Sequence, residues 1–598
     1  MSPLLLPIVL PLFMALLACA MPNAWGRVKR IWLMAGALAF TAAVYLAGRN
    51  LSMTLLWNGE ILLSIHAVNR LALYAAGFMA PLIVWISMAE AGAVRRSWLM
   101  LSALSMGAMV LLADHLILLV LGWGGLGLLL YLMIPENNTI AAAAAQKTLF
   151  MVGGTDALLV FGIAYLALQQ DQVQLSGFVL TLKTAWQWLA FGAVLIAILA
   201  KVGAMPFHTW LPAMAEQSDG SVNALVPATL DKLVGIYLLT RLVQSMPVMP
   251  PLLRIFLLLL GVLSLLGGVL MALMQHDMRR LLAYHAVSQT GYMLLGIATG
   301  SILGLAAAFF HLINNVLYKS GLFMAAGAVE HAAGHTQLDR LGGLSTIQPR
   351  CFAAFMVMAL AISGIPPLNG FVSKWLIIQS LADQVGQNNR LAVFAMIAAL
   401  AGSGLTLASF MKLSYSVYLG PVDEALQRSL NRNQVGWQWL PLTGIALSCL
   451  LLGVAGLKWV MPALIPSGEP YTLRGLWAPG QAALLLLLGI FTGTLIFLMT
   501  RSLKPRIVPR FSGGEMANTS ERVLGSGFYL DVEALPLLRT GYQWASQQLF
   551  DFYEQGRKYY SRLALPFRQW HNGHLNRYVG WLILGWVVLT AVIMGARS

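Results

Sequence analysis

Charged residues are scarce in this chain of 598 residues: only 10% are Asp, Glu, Lys or Arg, whereas 59% are hydrophobic. A soluble protein of this length carries far more charge, so the composition excludes a soluble multidomain protein. The runs LLLPIVLPLFMALLACA and FLLLLGVLSLLGGVLMALM are each long enough to cross about 30 Å of hydrocarbon as a helix. We therefore predict an all-α polytopic membrane protein with about 14 to 16 transmembrane helices.

Cysteine is nearly absent too. Cys19, Cys351 and Cys449 are far apart, lie in apolar runs and form no CxxC motif. Zinc and iron–sulfur sites need clustered ligands, which these cysteines do not provide. The sequence also shows no dinucleotide-binding loop. We expect no cofactor and no metal in this chain, so redox chemistry would have to take place in partner subunits.

The net charge of +15 is unevenly distributed, because basic residues are grouped after the first, third, ninth and fifteenth predicted helices. The groups are Arg27, Lys29 and Arg30; Arg95 and Arg96; Arg279 and Arg280; and Arg501, Lys504, Arg506 and Arg510. Basic loops stay cytoplasmic, so the groups predict one cytoplasmic face and a periplasmic N-terminus in a cell inner (cytoplasmic) membrane. Such groups contact lipid headgroups; without interleaved exposed aromatic residues they do not indicate nucleic-acid binding.

The polarity of the chain changes along its length and predicts seven segments. They are N-terminal transmembrane helices (1–105), a first repeat (106–275), a second repeat (276–420), additional transmembrane helices (421–504), a polar link (505–530), an amphipathic lateral helix (531–570) and a C-terminal transmembrane anchor (571–598). Two matching broken helices, rather than residue identity, are the reason to expect two inverted repeats. The lateral helix is too polar to span; an arm clasping a partner and a helix lying on the membrane surface both fit its pattern.

Two hydrophobic segments are interrupted by proline beside a lysine. AKVGAMPFHTWLP contains Lys201 and Pro206, and SGIPPLNGFVSKW contains Pro366, Pro367 and Lys374. Placing a charged lysine near the bilayer centre costs about 2.5 to 3.5 kcal/mol of insertion free energy, so we interpret each of these lysines as a candidate functional residue. Proline leaves backbone carbonyls without partners, which favours a polar pocket nearby. A pair of such helices indicates a midplane ion site, with lysines that snorkel to the interface as the alternative.

Further polar residues lie in the predicted spanning helices. Lys232 follows Asp231 in mid-helix, where an ion pair between the two is the structural alternative. His311, Asn314, Asn315 and Lys319 lie on neighbouring turns of one helix, where a lone histidine with a satisfied hydrogen bond is the alternative for His311. One face of that helix is therefore polar and predicts a hydrated path.

The motifs together resemble one known family. LGWGGLGLLLYLMI, AKVGAMPFHTWLPAMAE, FFHLINNVLYKSGLFMAAGAVEHAAG, LDRLGGL and SGIPPLNGFVSKW look like the proton-conducting antiporter family, over about residues 60–420. That family includes the distal antiporter-like subunit of respiratory complex I, the large subunit of Mrp sodium/proton antiporters, and membrane subunits of energy-converting nickel–iron hydrogenases and formate hydrogenlyase.

The resemblance implies roles for individual residues. Lys201 matches the lysine of the family's broken seventh helix, and Lys374 that of the broken twelfth helix. His311 matches the connecting histidine of the eleventh helix, and Lys232 the eighth-helix lysine of some hydrogenase-type members. These four residues are our predicted proton-translocation residues. The predicted supporting residues are Asp114, Lys147, Asp156, Asp231, Asn315 and Lys319.

Two positions depart from the family pattern. Gly124 stands where the family often has glutamate, and Asn315 where many members have a second histidine. In the family that glutamate pairs with the seventh-helix lysine, so Asp114, Asp156 or a neighbouring subunit would have to supply the charge near Lys201. Asp114 is about 15 Å from Gly124 along a helix and cannot take its place there.

Two further segments resemble one branch of the family. LVPATLDKLVGIYLL and QWHNGHLNRYVGWLILGW look most like the large membrane subunits of Ech-type hydrogenases. The resemblance implies a proton-translocating subunit, with sodium linkage as a variant, of an energy-converting redox complex. Subunits of NADH:quinone oxidoreductase, formate hydrogenlyase or an Mrp-type antiporter are the alternatives. The expected partners are the lipid bilayer and other membrane and peripheral subunits, which would carry iron–sulfur clusters and a nickel–iron centre.

Overall fold

The computed structural model describes most of the chain. It leaves out residues 1, 52, 91, 136–137, 387–388, 422–435, 466–472, 475–477, 500–526, 530–531, 533, 571–574 and 596–598. The predicted polar link 505–530, apart from residues 527–529, and the fourth basic group at 501–510 therefore lie outside the described residues.

The described residues include eleven helices that are long and apolar enough to cross a membrane, and four shorter apolar helices. The predicted all-α membrane fold is thus confirmed. The helices of the first half are α1 (Leu6–Ala20), α2 (Gly26–Gly48), α3 (Ala67–Ser87), α4 (Ala93–Leu112), α5 (Leu116–Met133), α6 (Thr139–Thr148), α7 (Gly154–Gln170), α8 (Ala185–Lys201), α9 (Trp210–Gln217), α10 (Gly220–Leu225) and α11 (Asp231–Gln244).

The second half continues the bundle. Its helices are α12 (Pro251–Leu273), α13 (Met278–Ala298), α14 (Ile302–Ala333), α15 (Pro349–Ser363), α16 (Asn369–Gly386), α17 (Arg390–Ser414), α18 (Trp439–Trp459), α19 (Met461–Leu464) and α20 (Pro479–Met499). Short π-helical segments join α6 to α7 at Leu149–Gly153 and α10 to α11 at Val226–Leu230, and a third follows α17 at Tyr415–Leu419. Such segments are frequent at functional sites.

A β-hairpin interrupts the helical pattern between α2 and α3. Strands β1 (Thr54–Trp57) and β2 (Glu60–Ser64) pair antiparallel. The turn residues Asn58 and Gly59 both have positive φ, of 50° and 86°. An Asn-Gly pair with positive φ is the preferred two-residue hairpin turn, which explains why this polar stretch forms strands.

The two proline-containing segments break their helices as predicted. α8 ends at Lys201, and the chain passes through Pro206 before α9 begins. α15 ends at Ser363, and Pro366 and Pro367 precede α16. The bonds before Pro206 and Pro367 are cis. Proline cannot donate a helix hydrogen bond, so carbonyl groups at both breaks become available to side chains.

The two broken helices run in opposite directions. The chain enters α8 beside the end of α11, because the Leu180 amide donates to the Ser245 carbonyl at 2.9 Å. It enters α15 beside the end of α14, because Gln348 Nε2 donates to the Ala328 carbonyl at 3.4 Å. The loop before α10 and the end of α14 line one cavity, so α11 and α14 end on opposite sides of the bundle. Opposite entry is what inverted repeats require.

Helices α12 and α13 pack closely through glycines. A Cβ added at Gly268 would lie 2.7 Å from the amide nitrogen of Ser288, and one added at Gly291 would lie 2.5 Å from that of Leu265. Small residues let membrane helices approach in this way. The close contact keeps α13 in the interior, where its polar side chains His285 and Gln289 are fully buried.

Three of the four basic groups meet at one side of the bundle. Arg30 and Arg96 line the same cavity as Glu330, and Arg279 Nη1 donates to Glu330 Oε2 at 2.9 Å. We call this side the basic end, defined by Arg30, Arg96 and Arg279.

A second compact unit follows the bundle and covers Pro536–Ser598. It contains α21 (Pro536–Ser546), α22 (Phe552–Trp570) and α23 (Leu575–Gly595). The lateral segment predicted as one helix over 531–570 is therefore two helices. A turn separates them, and Gln548 in that turn has a positive φ of 60°, which an α-helix does not accommodate.

Candidate functional site

Lys201 is buried at the point where α8 breaks, with 1% of its surface exposed. Its Nζ donates to the Trp123 carbonyl on α5 at 2.8 Å and lies 3.8 Å from Oδ1 of Asp231 at the start of α11. Asp231 is fully buried, and within the described residues neither of its carboxylate oxygens has a hydrogen-bond partner. Since a buried charge needs a counter-charge, Lys201 and Asp231 form the ion pair of the first break.

Asp156 on α7 brings a second carboxylate to the same place. Its Oδ1 accepts a 2.8 Å hydrogen bond from Nε1 of Trp123. A Cβ added at Gly127 would lie 3.3 Å from both Asp156 Oδ2 and Lys201 Nζ, so these two charged atoms are no more than twice that distance apart. A Cβ added at Gly124 would lie 4.0 Å from the same Oδ2. Asp156 therefore places its carboxylate beside the position where the family often has glutamate.

Lys232 is held by the broken helix rather than by Asp231. Its Nζ donates to the Val202 carbonyl just after α8, to Thr290 Oγ1 at 2.5 Å and to the Ala286 carbonyl at 3.3 Å. Adjacent residues of a helix point in different directions, so Asp231 can face Lys201 while Lys232 faces α13. The ion pair between Asp231 and Lys232, which was the structural alternative, is therefore not the arrangement at this break.

The second break binds its lysine in a similar way. Lys374 on α16 is 3% exposed, and its Nζ donates to the Ile362 carbonyl at the end of α15 at 2.8 Å. It also donates to Ser403 Oγ at 3.3 Å and lies 4.5 Å from the centroid of the Tyr292 ring. Each broken helix thus offers a carbonyl to a buried lysine, and neutral acceptors and an aromatic face surround Lys374.

Helix α14 carries polar residues between the two breaks. His311, Asn315 and Lys319 lie on successive turns and are fully buried. His311 Nδ1 is 2.9 Å from Oγ of Ser373, the residue next to Lys374. Within the described residues, Lys319 Nζ and both amide atoms of Asn315 lack hydrogen-bond partners. Buried polar groups of this kind are normally satisfied by internal water, so this face is suited to a hydrated path.

A second polar face, on α13, was missed by the sequence reasoning. His285 Nε2 is 2.8 Å from Ser409 Oγ on α17, and the Tyr318 hydroxyl donates to Gln289 Oε1 at 3.4 Å. The Tyr292 ring lies 5.4 Å from that of His311. The segment YHAVSQTGY repeats polar or aromatic residues three to four positions apart, which is the helical signal that could have identified this face.

Two predicted supporting residues lie elsewhere. Asp114 is in the turn between α4 and α5, where it accepts hydrogen bonds from the amide of Ser176 at 3.1 Å and from its hydroxyl at 2.6 Å. Lys147 is half-buried in the last turn of α6. The structure therefore gives Asp114 a loop-fixing contact, and the supporting roles of both residues stay predictions.

The buried groups are unbalanced in charge. At and between the two breaks, the described residues include four buried lysines, which are Lys201, Lys232, Lys319 and Lys374, and two carboxylates close to Lys201, those of Asp156 and Asp231. In a medium of low dielectric constant, uncompensated like charges repel each other strongly.

Residues 113–406 match the family described as NADH:quinone oxidoreductase/Mrp antiporter, transmembrane. An uncharacterized protein of Methanocaldococcus jannaschii is 34% identical over 331 residues, which cover 54% of this chain and 66% of that protein. A component of a probable K⁺/H⁺ antiporter of Rhizobium meliloti is 30% identical, covering 65% of this chain and 39% of that protein. The match thus spans just under two thirds of the first relative and well under half of the second.

A solved structure shares the fold over nearly the whole chain. A chain of the membrane-bound sulfane sulfur reductase, an archaeal respiratory membrane complex, superposes with a TM-score of 0.83. The superposition covers 99% of this chain and 100% of that chain at 21% identity. It therefore includes the helices beyond the family match, although this level of identity establishes the fold alone.

Proposed function

We propose a proton-translocating role for this chain, starting from the fact that its residues 113–406 belong to the NADH:quinone oxidoreductase/Mrp antiporter family. The chain is an antiporter-like, multi-pass membrane protein. We propose that it moves protons as one subunit of a multisubunit, redox-driven complex.

The observation that carries this proposal is the set of buried ionisable residues at and between the two breaks. Lys201, Asp231 and Lys232 meet at the first break, Lys374 lies at the second, and His311 and Lys319 lie between them on α14. Buried ionisable groups in a membrane protein are expensive, and they commonly mark proton relays. Residues of this kind can each accept and release a proton.

Protons suit this path better than sodium. Hard metal cations, the class to which the sodium ion belongs, prefer a cage of oxygen ligands. Here the buried ionisable residues at and between the two breaks are mainly lysines, whose positive charge repels a cation. The two carboxylates nearest to Lys201 are engaged by Lys201 and Trp123. Sodium linkage would therefore have to arise in another subunit.

The identity of the complex is a finer proposal. The resemblance of the LVPATLDKLVGIYLL segment and the C-terminus favours an Ech-type hydrogenase. Subunits of NADH:quinone oxidoreductase, formate hydrogenlyase or an Mrp-type antiporter are also compatible with the family match and the shared fold, neither of which singles out a hydrogenase. In the redox-driven cases partner subunits would hold the iron–sulfur clusters and, in a hydrogenase, a nickel–iron centre. Mass spectrometry of the purified complex would identify those partners.

The orientation is also a proposal. Three basic groups at one end support a cytoplasmic basic end, and hence a periplasmic N-terminus in the inner membrane. Labelling of single cysteines from either side of the membrane would test it.

The transport proposal is tested with the complex purified intact from its membrane and reconstituted in vesicles. A potassium diffusion potential drives proton uptake, which an enclosed pH dye reports, so the electron donor need not be known. We expect Lys201→Ala and Lys374→Ala each to reduce uptake strongly while the complex still assembles.

Lys458→Ala is the matched control, because Lys458 is an exposed lysine in the last turn of α18 and should be neutral. Wild-type uptake by both buried-lysine variants, in complexes of full subunit composition, would contradict the proposal.

A further inference from the structure

A cavity of about 820 Å³ opens at the basic end. Its lining comes from α2, from the loop between α3 and α4 and the helix ends beside that loop, from the ends of α5 and α14, and from the residues before α10 and α18. The charged residues and the histidine that line it are Arg30, Glu90, Arg96, Asp219, Glu330 and His331. None of them belongs to the site described above, so this cavity needs a separate explanation.

Glu90 is the most deeply placed acid of this wall, with 12% of its side chain exposed. The backbone amide of Ser221 donates to Glu90 Oε1 at 2.8 Å, and the Ser221 hydroxyl donates to Oε2. Arg96 Nη2 lies 3.8 Å from Glu90 Oε2 and also donates to Asp219. Glu90 thus contacts the cavity on one side and the first turn of α10 on the other.

The charges around Glu90 suit a proton rather than a metal ion. The Arg96 guanidinium lies between Glu90 and Asp219, where it would repel a metal cation. Glu330, paired with Arg279, is the other carboxylate facing this group. Burial raises the pKa of Glu90, and this effect outweighs the hydrogen bonds from Ser221 and the charge of Arg96, which lower it. A glutamate in this state can take up a proton from the cavity.

Hydroxyl groups continue inward from Ser221. Ser320 Oγ on α14 donates to the Ala224 carbonyl at 3.1 Å, and it lies 2.8 Å from Thr229 Oγ1. Thr229 lies in the π-helical segment and donates to the same carbonyl at 2.7 Å. Lys232 follows three positions later, one turn further along this helix.

The spacing fits a relay with water between its members. From Ser221 to Lys232 the helix rises about 16 Å, too far for one proton transfer but short enough for a few steps. The hydroxyls of Thr229 and Ser320 lie between these two residues, and a hydroxyl can both donate and accept a hydrogen bond.

We infer that the basic-end cavity is the mouth through which protons reach the buried lysines, and that Glu90 takes them up and passes them by way of Ser221, Ser320 and Thr229 to Lys232. The proton leaves the Glu90 carboxyl group and ends on the amine of a neutral Lys232, so no other reactant is needed. This inference rests on the proposed transport function and adds a specific entry route to it.

The test uses the intact complex in vesicles under a potassium diffusion potential. Glu90→Gln keeps the shape of the side chain and an acceptor for the Ser221 amide but cannot release a proton. We expect uptake to fall about tenfold or more, since a positioned proton-transfer group contributes on the order of 10² to 10⁴-fold. Glu90→Asp, which keeps the carboxylate, should restore part of the rate.

A pH profile separates this role from a purely structural one. Uptake by the wild type should fall as the pH on the cavity side rises through the raised pKa of Glu90, because the protonated form is then lost. Glu90→Gln should lack this step. Glu216→Gln is the matched control, since Glu216 pairs with Arg280 at the same end but does not line the cavity.

Wild-type uptake and an unchanged pH profile in assembled Glu90→Gln would overturn the entry route. If Glu90→Gln fails to assemble, the double variant Thr229→Val/Ser320→Ala provides the test, because it removes both hydroxyl groups and no charge. A loss of proton uptake by the double variant supports the entry route, and a wild-type rate of uptake overturns it. Loss of uptake in Lys374→Ala combined with normal uptake in these variants would reject the route but leave the transport function in place.

Discussion

The carboxylate of Asp156 is the element of the first break whose role can be tested most sharply. Asp156→Asn keeps the shape of the side chain and an acceptor for Nε1 of Trp123, and it removes one of the two negative charges close to Lys201. We expect the complex to assemble and proton transport to slow, because the charged form of Lys201 loses part of its stabilisation.

The geometry sets the size of the effect. Asp156 Oδ2 and Lys201 Nζ are each 3.3 Å from the same point at Gly127. The two atoms are therefore at most about 6.6 Å apart, and at that largest separation, with an effective dielectric constant of about 20, the attraction is about 2.5 kcal/mol. A loss of that size corresponds to a change of roughly 70-fold in an equilibrium constant, so we expect transport to slow by about tenfold or more.

The assay is dye-reported proton uptake by reconstituted complexes, with a rescue that only the charge explanation predicts. Gly124→Glu added to Asp156→Asn places a carboxylate beside the vacated position, since a Cβ at Gly124 is 4.0 Å from Asp156 Oδ2. The double variant should recover part of the rate, whereas Gly124→Glu alone crowds two carboxylates and should not exceed wild type. Asp171→Asn, an exposed acid at the end of the same helix, is the control. Full activity of Asp156→Asn would refute this reasoning.

Three further predictions concern other parts of the molecule. Gly364→Ala should destabilise the complex by about 1 to 2 kcal/mol and slow transport, because Gly364 has a φ of 83° and an added Cβ would lie 3.0 Å from Lys374 Cδ. The control is Gly404→Ala, which has open space around it and should change neither the melting temperature nor proton uptake noticeably. Deleting the chain after about Thr519 should impair assembly or coupling, measured by subunit composition and by uptake per electron, while the redox centres of partner subunits keep their spectra. Because burial raises the pKa of Glu90 above its ordinary 4.5, the neutral form favours the folded state, so the melting temperature should fall as pH rises through that raised pKa, and Glu90→Gln should flatten the fall.

Local sequence was enough to predict the broken helices and their lysines. Proline and lysine within an apolar run have few structural explanations, so Lys201 and Lys374 could be identified without knowing what surrounds them. The polar face of α14 followed from helical periodicity in the same way.

Contacts between distant segments could not be read from the sequence. The carbonyl of Val202 becomes an acceptor for Lys232 only once α8 breaks beside α11 and α13. Asp231 faces Lys201 rather than the adjacent lysine because helix geometry turns neighbours apart. The basic-end cavity was also missed, since Glu90 lies in a short loop with no periodic pattern. The cavity lining comes from helices that are far apart in the sequence, namely α2, α3, α4, α5 and α14.

The most direct test of the central claim, that protons move through buried groups between the two breaks, is the Lys319→Met variant. Lys319 is fully buried on α14, and among the described residues its Nζ has no hydrogen-bond partner. Methionine fills a similar volume without a charge, so the melting temperature should stay the same or rise. Proton uptake should nevertheless fall by about tenfold or more, because a proton-transfer group is lost from the middle of the path. Wild-type uptake by the fully assembled Lys319→Met complex would contradict the account.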